Sequence, residues 1–321
     1  IYITSSTSPS KPKNARSKRA LQKREPKVKE NVKTALFIRG TSTTEIVNEA
    51  LSDLCRLKKP DSITFNKKNE IRPFEDDTTL EFLCQKNDAS LFVIGSNSKK
   101  RPNNLVFARM FDGQVLDMIE VGIEWAVPMS QFKTPKCTIG MKPLFIFTGS
   151  LFETSQPHKV FKNMLLDFFQ GKVLKSFDLT GIEYVISVTA IGSPLPDESN
   201  VNPSRVDGKI FFRVYTINMK KSGERTPRVE LEEMGPHYNF FIRRTKFAKD
   251  EVYKQATRIP KSLKPKKEKN IDVNEMGDVV GRIHVGKQDL SKLQTRKMKG
   301  LKREAREDDS DDEKPTKKLK N

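Results

Sequence analysis

The sequence predicts a mixed α/β fold (α+β, with mixed sheets) of two pseudo-symmetric lobes flanked by charged tails. Three observations carry that expectation. The stretch LFIRGTS at 36–42 returns 108 positions later as LFIFTGS at 144–150, with four of seven residues identical. Each copy precedes an apolar ladder of one helical spacing: Ile46, Val47, Ala50, Leu51, Leu54 and Cys55, then Val160, Phe161, Met164, Leu165, Phe168 and Phe169. Further along, LDMIEVG at 116–122 is echoed by VELEEMG at 229–235. Landmarks in one order at nearly one offset point to a duplicated domain, because two copies are too few for a solenoid.

The elements follow in order. Residues 11–29 hold nine Lys or Arg against a single Glu, with Pro12 and Pro26. The segment NARSKRALQKRE can form a short basic helix, yet it has too few apolar residues to dock, so residues 1–30 read as a basic tail, disordered until bound. The apolar-rich middle, 31–259, divides into a first lobe at 31–138 and a second at 139–259. The first lobe opens with a strand at 34–39; the next helix starts from TSTT, has Glu45 in its first turn and stops before Pro60. A short strand at 62–65 comes next, then a helix capped by Asp77 that bears Leu80, Leu83 and Cys84. Strands at 91–94 and 105–111 are joined by GSNSKKRPNN. The second lobe repeats the plan with LFIFTGS, a helix near 158–169, strands at 184–188 and 209–217, and VELEEMG. A Pro-rich loop at 191–208 reads as an insertion. Residues 260–321 form a charged tail, with room for a short helix at 288–299 and an acidic EDDSDDE set among basic runs. KKEK and KKLK in that tail are either nuclear-import signals or ordinary basic clusters.

Composition narrows the partners. The chain has 321 residues, a formal net charge of +19, a pI near 9.7 and a mean hydropathy of −0.62. The length suits about two domains, and the apolar residues that can build their cores lie between 32 and 259. So large a positive charge calls for a polyanion, nucleic acid first. An anionic membrane surface is the rival, but no segment approaches the ~18 apolar residues that spanning requires. Cys55, Cys84 and Cys137 are odd in number and far apart, as reduced core residues of an intracellular protein are. The first ten residues lack a signal peptide's basic-then-apolar layout, and the chain begins with Ile1 rather than Met, as a fragment would.

The turn after each repeated strand is not a phosphate cradle. RGTSTTE lacks both GxxxxGK[ST] and GxGxxG, and TGSLFETSQP has no Lys where a phosphate would need one; a tight turn plus helix cap explains both. His158, His237 and His284 have no partner at metal-ligand or triad spacing, and nothing assembles a nucleophile, base and oxyanion donor, so no cofactor, metal or enzymatic activity is expected. The loop GSNSKKRPNN is more telling. Lys99, Lys100 and Arg101 make a compact cationic tip, flanked by Ser and Asn able to donate to phosphate oxygens; a solvated hairpin tip is the plainer alternative. In YNFFIRRTKFAKDEVYK, alternation puts Tyr238, Phe240 and Ile242 on one face and Phe241 and Arg243 on the other, with Arg243, Arg244 and Lys246 clustered at the strand's end. Phe241 beside guanidinium groups suits base stacking, or else core packing between layers. The tails add Arg16, Lys18, Arg19, Lys23 and Arg24, and then Arg296, Lys297 and Lys299, as candidate RNA contacts.

RPFEDDTTLEF (72–82), KKRPNNLVFARMFDGQVLDMIE (99–120), KSGERTPRVELEEMGP (221–236), IRRTKFA (242–248) and GRIHVGKQDLSKLQTRKMKGLK (281–302) resemble the Brix-domain family of ribosome-assembly factors. The resemblance implies two pseudo-symmetric α/β lobes, each similar to the anticodon-binding domain of some aminoacyl-tRNA synthetases. It implies a nucleolar, and so nuclear, protein of large-subunit assembly that acts on rRNA maturation. The implied partners are 5S rRNA and pre-rRNA, the 5S-associated ribosomal proteins, and a regulator-of-ribosome-synthesis protein as heterodimer partner. That partner is expected to complete the lobe junction or the outer sheet edges. A general binder of structured nucleic acid, tRNA or chromatin, is the alternative from composition alone.

Overall fold

The computed structural model describes residues 14–25, 27–171, 181–192, 208–224, 226–264, 268–274, 278–283 and 285–286. The chain divides into two compact units, Ile1–Lys266 and Lys267–Asn321. In the first, β1 (Ala35–Gly40) lies parallel to β2 (Ser62–Asn69) on one side and to β3 (Leu91–Ser96) on the other. Strands β4 (Asn104–Phe111) and β5 (Gln114–Val127) continue antiparallel. Later in the chain, β6 (Leu144–Thr148) lies parallel to β7 (Tyr184–Ile191), and β8 (Lys209–Lys220) and β9 (Arg228–Glu233) follow antiparallel. The order β1-β3-β4-β5 is thus matched, sense for sense, by β6-β7-β8-β9.

One strand breaks the symmetry. β10 (His237–Lys246) runs antiparallel between β5 and β8, so the halves share a single sheet in the order β2-β1-β3-β4-β5-β10-β8-β7-β6. The free side of β8 is divided: Ile210–Phe212 pair with β10 and Tyr215–Lys220 with β9. The junction that the sequence left to a partner protein is therefore filled by the chain's own strand. Along β10, Tyr238, Asn239 and Phe240 pair on both sides, with Ala126, Trp125 and Ile123 of β5 and with Phe212, Phe211 and Ile210 of β8. The outer edges remain at β2 and β6, and β9 is paired only along β8.

The helices divide unequally between the faces. The inner face carries Phe37, Val93, Phe107, Val121, Phe240 and Phe212 from successive strands. It is covered by α2 (Glu45–Lys58), α4 (Leu151–Thr154) and α5 (Gln156–Phe168). The two predicted ladders are these helices' buried stripes, although Ile46 turns outward at 38% exposure. Helix α5 follows the second strand copy yet lies across the first half: Phe168 meets Phe37 and Phe107 edge to face at 5.9 and 6.3 Å, and Phe161 meets Phe107 at 6.0 Å. Buried Arg109 fixes that crossing. It donates through Nε to Asp117 at 2.8 Å and through Nη1 to Asn163 of α5 at 2.7 Å, while Lys33 grips Asp167 of α5 at 2.7 Å. Among the described residues, helical cover on the outer face lies over the first half, where α3 (Thr78–Asn87) sets Leu80 on Leu36, Ile38, Phe92 and Ile94.

Sequence reading of the caps was half right. Thr44 caps α2, its hydroxyl accepting from the Val47 amide at 3.4 Å. Asp77 does not cap α3, because its backbone (φ −85°, ψ −19°) is already helical. Asp76 takes that part instead, accepting from the Thr78 amide at 3.0 Å. The short basic helix is α1 (Ala15–Arg24), started by the Asn14 side chain, which accepts from the Ser17 amide at 2.8 Å. Past Asp250–Ala256, which forms α6, the second unit holds a hairpin of β11 (Ile271–Val273) and β12 (Val279–Gly281) that the sequence did not announce. The helix expected at 288–299 and residues 193–207 of the Pro-rich loop lie outside the described residues. Among the described residues no helix is long and apolar enough to cross a membrane.

Asp53 on α2 gives a pH test of this core. It is 2% exposed and accepts from the Met129 amide at 2.7 Å, and burial raises its carboxyl above the usual aspartate value of about 4. A raised carboxyl favours the fold in its protonated form, so that contribution is full below about pH 4 and is lost as pH rises through the folded-state value. Asp53→Asn keeps an oxygen for Met129 without the charge. Urea unfolding at pH 4.5 and 7 should therefore show the variant gaining on the wild type as pH rises; a constant difference would contradict the burial argument.

Candidate nucleic-acid interface

The loop between β3 and β4 is fixed from beneath. Asn97 donates its amide to the Ser42 carbonyl at 2.8 Å, Ser98 and Arg101 exchange backbone bonds at 3.1 Å, and Asn103 donates its amide to Asn97 Oδ1 at 3.1 Å. Asn103 sits at φ 47°, a left-handed position that Asn tolerates, and its Oδ1 accepts from Thr44 at 2.7 Å. The Ser and Asn side chains expected to hold phosphate are thus largely spent on the loop itself. What this bracing presents is Lys99 and Lys100, both exposed.

Arg101 does not point the same way. Its Nε lies 3.7 Å from Glu120 Oε1, and Glu120 is fully buried on β5. Arg244 of β10 closes on the other oxygen of the same carboxylate through Nε, and its guanidinium stacks on Phe74 with the centroid 4.3 Å away. Lys246 pairs with Asp77 ahead of α3. Arg243 donates to Asn104 Oδ1 and to the Pro102 carbonyl, each at 2.8 Å, and stacks on Phe241 at 4.8 Å. Of the three β10 cations singled out in the sequence, Arg243 braces the base of the loop, Arg244 shares Glu120 with Arg101, and Lys246 reaches Asp77 instead. They tie the strand between the halves to the loop and to α3.

Gly122 makes room for this arrangement. A Cβ there would overlap the Phe241 ring and come within 2.8 Å of Arg243 Cζ, so only glycine lets ring and guanidinium lie across β5. Its repeat counterpart Gly235 (φ 69°) does the same for Phe132. The shared glycine of LDMIEVG and VELEEMG is thus a place where an aromatic ring lies against the backbone, within β5 at Gly122 and in the bend between β9 and β10 at Gly235. As alternation predicts, Tyr238, Phe240 and Ile242 face the core at 1%, 2% and 0% exposure, while Phe241 stays half-buried on the other side.

The remaining sequence candidates lie elsewhere. Arg16, Lys18 and Arg19 are exposed on α1, whose last turn contains Lys23 and Arg24; Arg296, Lys297 and Lys299 lie outside the described residues. His158 is buried beside Ser155 at 2.9 Å, and His237 is buried between Phe132 and Tyr215; burial lowers the pKa of both. Among the described residues no group of three or more His, Cys, Asp or Glu is placed to hold a metal ion. Sequence reasoning missed Trp125 and Arg213, whose signal is weak because each is a single residue in an otherwise ordinary strand.

Residues 40–244 match the family model described as the Brix domain. The chain is 47% identical over 305 residues to the ribosome production factor 2 homolog of Schizosaccharomyces pombe, covering 94% of each chain. It is 50% identical over 272 residues to the Mus musculus homolog, covering 85% of this chain and 84% of the relative. For the Homo sapiens homolog the identity is 49% over 271 residues, with 84% of each covered. The family model and the sustained identity agree, and the chain belongs to the Brix-domain family of ribosome-assembly factors, in its ribosome production factor 2 branch.

Proposed function

We propose that this chain is a non-enzymatic factor of large-subunit assembly that binds structured RNA through phosphate contacts and helps bring the 5S ribonucleoprotein to the pre-ribosome. The observation that carries the proposal is the braced loop: two exposed lysines on a base fixed by backbone and side-chain bonds. Preorganised cations of this kind position a nucleic acid without reading its sequence. The net charge of +19 supplies the long-range attraction, and the exposed basic residues of α1 extend it. On this reading the RNA is 5S rRNA and pre-rRNA, the site of action is the nucleolus, and the 5S-associated ribosomal proteins arrive with their RNA. The regulator-of-ribosome-synthesis partner takes an outer edge of the sheet, β2, β6 or β9, since β10 already holds the junction.

Two variants separate reaching cations from bracing ones. Lys99→Ala with Lys100→Ala should leave stability within about 0.5 kcal/mol. It should weaken 5S rRNA binding alike across RNA sequences and lower the log–log salt slope by roughly one to two. Competition with tRNA and duplex DNA at matched salt tests the preference for 5S rRNA, and unchanged RNA affinity would refute the loop's role. Arg244→Ala should behave in the opposite way. It strips a partner from buried Glu120 and should cost about 2–3 kcal/mol of stability, below the full loss for a buried pair because Arg101 remains nearby. Adding Glu120→Gln should recover most of that loss in denaturant melts; no recovery would show that Arg244 acts by some route other than this carboxylate.

A further inference from the structure

Among the described residues, the outer face of the sheet has helical cover from α3 over the first half. Over the second half neither buried core extends to it among the described residues. The register places Trp125, Asn239 and Phe211 side by side across β5, β10 and β8, with Phe241 two residues further along β10. Trp125, the chain's single tryptophan, is 45% exposed there. With Phe211 and Phe241 near it on the same face, Trp125 belongs to an aromatic patch rather than standing alone, and contiguous exposed patches mark interaction sites.

The rings are held in place. The Arg213 guanidinium lies 5.1 Å from the Trp125 centroid and 5.4 Å from that of Phe211. It cannot swing away, because Nη1 donates to the carbonyls of Phe212 at 3.0 Å and Tyr238 at 2.7 Å, and Nη2 donates to Asn239 Oδ1 at 2.6 Å. Phe241 is fixed in turn by Gly122 below and Arg243 beside it. Arg243 also holds Pro102 and Asn104, so this face runs directly into the base of the Lys99–Lys100 loop.

We infer that this open face is a platform on which unpaired RNA bases stack, with Trp125, Phe211 and Phe241 as its rings. The inference rests on the RNA-binding reading above and deepens it. Charge selects the occupant: Arg213, Arg243 and Lys209 line the face, and Glu124 is matched by Lys209 at 2.9 Å. Fixed rings interleaved with guanidinium groups on a sheet suit bases, which offer a flat π-face and an anionic backbone.

Trp125 is its own reporter. A single-stranded oligoribonucleotide of about ten nucleotides, titrated into the full chain, should quench its emission, whereas the duplex of the same sequence should bind through phosphates without quenching. Trp125→Ala should weaken single-strand binding roughly tenfold, the scale of one stacked base, and leave duplex binding unchanged, while Trp125→Phe should restore most of the affinity. Single strands that bind with no change in emission, and equally well to Trp125→Ala, would overturn the platform while leaving the loop's role intact. Emission that responds to a protein partner and not to RNA would overturn it in favour of a protein interface. A wild-type chain that binds neither RNA form would remove the RNA-binding reading and the platform together.

Discussion

The structure depends on where β10 goes. The halves repeat one pairing order, and each would end at an unpaired strand if it stood alone, β5 in the first and the start of β8 in the second. An exposed strand edge invites pairing with another chain. β10 satisfies both edges at once, with Asn239 facing Trp125 on one side and Phe211 on the other. Its inner residues, Tyr238, Phe240 and Ile242, complete a core that runs beneath both halves without interruption. Its outer residues fasten the loop before β4, the carboxylate of Glu120 and the approach to α3.

That division of labour explains why so basic a surface has so few obvious contacts. Cations on a sheet joined in this way have two uses, bracing and reaching. Arg101, Arg109, Arg213, Arg243 and Arg244 each meet a carboxylate, carbonyl or ring of the chain itself. Arginine suits bracing because its planar fork bonds two acceptors while its face stacks on a ring. The exposed tip of the loop carries lysines, compact charges on flexible stems that follow a phosphate backbone without fixing one geometry.

Much of the fold was legible because the repeat is written in apolar spacing. The ladders of α2 and α5 and the doubled strand motif survive the halves' divergence, since both helices bury against one core. Alternation in YNFFIRR gave the inner face of β10 correctly. The position of β10 was not legible, because strand order is a tertiary choice that no local pattern encodes. The crossing of α5 onto the first half was hidden for the same reason, as Arg109 and Asn163 are 54 residues apart. The cationic loop is visible in the sequence, but the ties of Arg244 to Glu120 and of Arg243 to Pro102 are not, because a cluster of cations looks alike whatever it pairs with. The Asp77 cap was misplaced by one residue because Asp76 and Asp77 are chemically equal in sequence and differ only in backbone angle.

The central claim is that β10 belongs to the chain's own sheet and needs no partner to hold it there. Native-state hydrogen exchange on the isolated protein tests it most directly. If β10 joins the halves, the amides of Tyr238, Phe240 and Ile242 exchange only with global unfolding, at the same free energy as the central amides of β4 and β5. Exchange of β10 through a low-energy local opening, while β3, β4 and β5 stay protected, would contradict the account and return the junction to a second protein.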